Sequence, residues 1–85
     1  MSDSRRMEGQ QIPLMMLLPG QKASVVEVRG GRGITSKLSS MGLFPGAELS
    51  IVSGGPGGPV IAEVRGSRVV LGRGMAHRVL VQRKE

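Results

Sequence analysis

Eighty-five residues suffice for one small domain, and a domain of that size buries only about 60–65% of the surface its unfolded chain exposes. The chain has no cysteine, which excludes disulfide staples and thiolate chemistry and argues against zinc fingers and iron–sulfur clusters; its single aromatic residue, Phe44, leaves the core to aliphatic side chains. The formal charge of +6, from 12 Lys/Arg against 6 Asp/Glu, speaks of an anionic partner and says nothing about fold.

In chain order, residues 1–11 read as a flexible polar tail. Arg5-Arg6 precedes the apolar stretch Ile12–Leu18, but Glu8, Gln10 and Gln11 intervene, Pro13 interrupts and Pro19-Gly20 ends the run. That is no secretory signal, and no stretch approaches the ~20 apolar residues needed to cross a bilayer. The expectation is a soluble, cytoplasmic chain that does not insert into the membrane. Residues 12–85 form the expected domain. Leu17-Leu18-Pro19-Gly20 leads into a strand over Ser24–Arg29, where alternation puts Val26 and Val28 on one face and Glu27 and Arg29 on the other. A glycine loop, Gly30–Gly33, follows. Ile34, Leu38 and Met41 then stand at i, i+4 and i+7, one stripe of a short helix that Gly42 ends.

Leu43-Phe44-Pro45-Gly46 repeats the earlier corner, and the likeness extends from Leu17–Val26 to Leu43–Val52: Leu, apolar, Pro, Gly, three residues, Ser, strand. Proline sets φ and glycine permits the turn, so each copy is a way into a strand, with Leu17 and Leu43 as its anchors. In Ala47–Ser53, Leu49 and Ile51 face one way and Glu48, Ser50 and Val52 the other. The Gly54–Pro59 run reads as a mobile connection. Val60–Arg65 points Val60, Ala62 and Val64 inward. Gly66-Ser67 is a two-residue hairpin loop, Val69–Leu71 a short strand, and Arg78–Arg83 the last, with Val79 and Val81 on one face. The fold class is all-β: a small SH3-like barrel of about five strands with one short helix, with the OB-fold as runner-up.

Reactive chemistry is hard to find. No Walker string occurs. His77 is the only histidine, and Glu27, Glu48, Glu63 and Asp3 lack ligand spacing, so no metal site is expected. The six methionines read as aliphatic filler. No nucleophile, base and orienting group stand together, so no enzyme and no catalytic residue is expected. The competing reading is a basic barrel that binds single-stranded nucleic acid through Arg29, Arg32, Arg65, Arg68, Arg73 and Arg78. It is disfavoured because such barrels stack bases on aromatic side chains and only Phe44 is available.

The motifs LLPG at Leu17–Gly20, the Gly30–Gly33 loop, LSSMGLFPG at Leu38–Gly46, and VRGSRVVL at Val64–Leu71 resemble, in order and spacing, the FeoA family of ferrous-iron transport accessory proteins. The likeness runs over residues 14–83. It implies an SH3-like domain and a protein partner: a FeoB-type ferrous iron transporter with a cytosolic G domain. With no ligand set in the sequence, no cofactor is expected and the implied iron role is indirect. The contact surface expected on that reading is the helix with its following turn, at Lys37, Met41 and Phe44; the alternative for the two apolar residues is the core, which is the favoured place for Met41.

Overall fold

A computed structural model describes residues 11–54 and 58–84. The expected tail at residues 1–11 therefore lies almost wholly outside the described residues, as does the centre of the Gly54–Pro59 connection. Six strands form one antiparallel sheet: β1 (Ile12–Pro13), β2 (Lys22–Val28), β3 (Glu48–Gly54), β4 (Val60–Val64), β5 (Ser67–Leu71) and β6 (Val79–Lys84), in the order β1-β6-β2-β3-β4-β5. A 3-10 turn (Leu14–Met16) follows β1, helix α1 (Arg32–Ser40) joins β2 to β3, and a one-turn helix α2 (Arg73–Ala76) joins β5 to β6. The expected strands and helix are present. The sixth strand, β1, is two residues long and contains a proline, so it carries no alternation to read.

The core is aliphatic throughout, and no polar side chain is buried among the described residues. Leu49 and Ile51, then Val60, Ala62 and Val64, then Val79 and Val81 are buried as their alternation requires. On β2 the buried pair is Ala23 and Val25. A register shift between Val25 and Glu27, against β6, makes Val26 an extra residue, and Val26 and Val28 fall outside the fully buried set.

Leu17 and Leu43 are both fully buried beneath their turns. In each turn proline holds the second position and glycine the third, with φ 91° at Gly20 and 94° at Gly46. The closing bonds run from the Gln21 N–H to the Leu18 carbonyl (3.0 Å) and from the Ala47 N–H to the Phe44 carbonyl (2.9 Å). This is the type II arrangement, in which only the third position needs positive φ.

Helix α1 buries Leu38 completely and rests Ile34 and Met41 against the core. It ends as the sequence requires. The Leu43 N–H donates to the Leu38 carbonyl (2.9 Å), the Gly42 N–H donates to Ser39 (2.9 Å), and Gly42 has φ 93°. Leu38 and Leu43, both fully buried, supply the apolar contact of this helix ending.

The hairpin between β4 and β5 differs by one residue from expectation. Val64 pairs with Ser67, so the loop is Arg65-Gly66, with φ 54° and 80°. A two-residue turn whose twist matches the strands needs positive φ at both central positions. Arg65 takes it in spite of its side chain. The sheet ends, β1 and β5, are not paired with each other; α2 packs against both β5 and the 3-10 turn, and Ala76 of α2 and Leu14 of the turn are fully buried.

Candidate functional site

The extra residue Val26 does more than shift a register. It turns Val26 and Val28 toward the space beneath α1, where they line an open apolar groove. Bulges of this kind commonly re-aim side chains beside sites of function. The opposite wall is α1, through Arg32, Thr35, Ser36 and Ser39. Those positions are spaced by three and four, so they share one face of the helix, while Ile34 and Leu38 serve the core. Small hydroxyl side chains on that face leave the space between α1 and β2 unfilled.

The hydroxyls differ in what they do. Thr35 donates back to the Gly31 and Arg32 carbonyls, both at 3.1 Å. Ser40, off the groove, donates to the Lys37 carbonyl at 2.7 Å. Ser36 and Ser39 have no hydrogen-bond partner among the described residues. The groove therefore offers an apolar floor with two free hydroxyls on one side.

Phe44 and Pro45 close its end. Phe44 is half-buried, and the Arg65 guanidinium lies over its ring, 5.2 Å from the centroid. A cation over an aromatic face contributes about 0.5–1 kcal/mol at an exposed site. Arg65 is also the one non-glycine described residue with positive φ. Nothing in the sequence announced that meeting, because it depends on the turn falling at Arg65-Gly66.

Of the three residues expected at a contact surface, Phe44 lines the groove. Lys37 stands exposed on α1 off the groove, and Met41 is half-buried against the core. On the other side of Phe44 lies a shallow polar depression with Lys22, Glu48, Glu63 and Lys84. Lys84 binds Glu48, and that hydrogen bond with its attendant charge holds the Glu48 carboxyl below the usual carboxylate range.

His77 is exposed, with Nδ1 3.4 Å from the Met15 Sδ. No group of three or more His, Cys, Asp or Glu side chains converges among the described residues. No helix among them is long and apolar enough to cross a membrane.

The FeoA domain family model matches residues 12–83. The chain belongs to the FeoA family. A protein of Methanocaldococcus jannaschii named Fe(2+) transport protein A is 33% identical over 73 residues, covering 86% of this chain and 88% of that one. The crystal structure of an iron uptake regulatory protein (FeoA) superposes with a TM-score of 0.83 at 41% identity, covering 88% of this chain and 100% of the other. Stenotrophomonas maltophilia FeoA, crystallised with zinc and described as an SH3 domain protein, gives a TM-score of 0.73 at 29% identity over 84% of this chain and 89% of its own. The FeoA fold places the SH3-like architecture beyond the level of strand patterning.

Proposed function

We propose that this FeoA-family chain is an accessory protein of ferrous iron transport, and that it works by docking the cytosolic G domain of a FeoB-type transporter into the groove between α1 and β2. The observation that carries the reading is the groove itself: an apolar trough with two unpartnered hydroxyls and a half-buried phenylalanine at its end. An open groove of this make-up fits a partner side chain better than it fits a substrate: among the described residues Glu27 is its one acidic residue, no histidine lines it, and neither Ser36 nor Ser39 has a hydrogen-bond partner that could act as a base. The relatives support the iron assignment by name. The Methanocaldococcus jannaschii protein is named for Fe(2+) transport, and the Stenotrophomonas protein has been put forward as a ferrous iron transport activating factor. Phe44 is the central contact on this reading. Lys37 and Met41 lie outside the groove lining, so the reading rests on Phe44 among the three expected contact residues.

The single-stranded nucleic acid reading needs an aromatic platform. Phe44 is half-buried, and Arg65 covers one face of its ring.

Isothermal titration of the full chain with the G domain of the FeoB-type protein from the same organism tests the proposal. Phe44→Ala and Ser36→Trp, which removes the end wall and fills the groove respectively, are each expected to weaken binding by about tenfold or more. Unchanged binding by both variants would mean that the groove is not the contact.

A further inference from the structure

A second concavity lies at the β1 edge of the sheet, lined by different residues from those of the groove. Its floor is apolar: Pro13 and Met15 before and within the 3-10 turn, and Leu80 of β6. Its rim is basic: Arg29, Arg73 and Arg78, with His77 among them, and no acidic residue lines it. Each of the four comes from a segment whose backbone is tied down. The Arg29 N–H donates to the Arg78 carbonyl (2.8 Å), and the Arg78 N–H donates to Met75 (3.0 Å). The His77 N–H donates to the Arg73 carbonyl (3.0 Å), so Arg73 and His77 stand one helical turn apart on the same side of α2. The Arg78 guanidinium lies against the Gly30 loop, with Nη1 3.3 Å from the position a side chain at Gly30 would occupy.

The charge on this rim is largely uncompensated. Arg29 has Glu27 at 3.5 Å, in an exposed pair. Arg73 and Arg78 have no ion pair among the described residues. Guanidinium groups present planar forks that match carboxylates in bidentate fashion, and three of them around an apolar floor select for acidic groups flanking an apolar side chain. Phosphate alone would use the rim and leave the floor of Pro13, Met15 and Leu80 without a partner.

We propose that this basic concavity is a second docking surface, and that its occupant is an acidic peptide segment of a partner protein carrying an apolar residue between carboxylates. The inference stands on the Arg29–Arg73–Arg78 cluster and holds whether or not the groove beside α1 binds a G domain.

Fluorescence anisotropy of the full chain tests it. The probe is a labelled peptide of about a dozen glutamate and leucine residues, and the control is the same peptide with glutamine in place of glutamate. The expected result is binding of the acidic peptide that Arg73→Glu and Arg78→Glu together weaken by about tenfold or more, while Phe44→Ala leaves it unchanged. Both arginines are exposed, so the double variant is expected to keep its circular dichroism spectrum. In heteronuclear NMR the peptide should move the amides of Arg29, Gly74, His77 and Arg78 and spare those of Ser36 and Phe44.

Equal affinity of the charge-reversed variant, equal binding of the glutamine peptide, or shifts confined to Ser36 and Phe44 overturns the proposal. Tighter binding of oligothymidylate, or of phosphatidylserine vesicles, than of the acidic peptide overturns it too, by assigning the rim to phosphate. Failure here with intact, Phe44-dependent G-domain binding would sink this inference alone.

Discussion

Gly42 shows how much a single residue can carry. Its φ of 93° is one that a side chain resists, and an added Cβ would stand 2.9 Å from the Val64 Cγ1. The neighbour belongs to β4 and is itself fully packed, so it has little room to yield. Gly42→Ala is expected to cost about 2–4 kcal/mol, from left-handed strain plus the overlap. Gly74 is the contrasting case. It lies within α2 with nothing near its would-be Cβ, and no positive φ constrains it. Gly74→Ala is expected to be neutral or to stabilise by about 0.5–1 kcal/mol. Urea denaturation of both variants checks the pair, and equal effects would mean that Val64 yields to the added methyl and that the left-handed backbone at Gly42 costs nothing. Glu48 gives a weaker, pH-dependent case. Lys84 lowers its carboxyl in the fold, so the pair's contribution is present above the unfolded value of about 4.3 and is lost as pH falls through the folded value. The stability advantage of the natural chain over Glu48→Gln should therefore be flat above about pH 5 and vanish in more acid solution. Because the pair is exposed, added salt should shrink the advantage wherever it is present, above about pH 5.

At the scale of elements, the repeated Leu-x-Pro-Gly corner is a structural pair. The Gly20 N–H donates to the Ile51 carbonyl and the Ile51 N–H to Gln21; the Gly46 N–H donates to the Val25 carbonyl and the Val25 N–H to Ala47. Each corner thus clasps the strand that follows the other corner. β2 and β3 pair Lys22 with Ser50, Ala23 with Leu49 and Ser24 with Glu48, a register that maps onto itself when the two copies are exchanged. The register shifts are equivalent as well, after Val25 in one copy and after Ile51 in the other. The centre of the sheet therefore has local two-fold symmetry. Gly20 and Gly46 have the same φ and open space around them, so Gly20→Ala and Gly46→Ala should each cost about 1–2 kcal/mol and should agree within about 0.5. Denaturant midpoints at constant slope are the measurement; a difference of several kcal/mol would show that the clasps are not equivalent. The symmetry breaks after the strands. β2 leads to α1, whose serine face lines the groove.

At the scale of the molecule, the sheet has two ends, and only one is exposed over any length. β1 is two residues, too short to template another strand, whereas β5 runs for five. Because Val64 and Ser67 close a two-residue hairpin, Ser67, Val69 and Leu71 face their β4 partners, and the N–H groups of Arg68 and Val70 point away from the sheet. Neither has a backbone partner among the described residues. Amide hydrogen exchange should show Arg68 and Val70 exchanging at least about tenfold faster than Val69 and Leu71. Protection of all four would mean that another chain pairs with this edge.

The amino-acid sequence by itself determined the strands with clean alternation, Val60–Val64 above all, because a period of two on a half-buried surface has one solution. It also determined the end of α1, where Leu38, Gly42 and Leu43 carry a helix-stop that acts over five residues. It located Phe44 near the candidate site through the corner in which it sits. The groove was not legible, because it depends on the extra residue Val26 in β2, which arises only when β2 is held between β3 and β6. The Arg65–Phe44 contact and the arginine cluster of Arg29, Arg73 and Arg78 were beyond reach for the same reason. Local patterns record which way a side chain faces along its own strand, whereas a surface assembled from distant segments exists only once sheet register and turn geometry have brought those segments together.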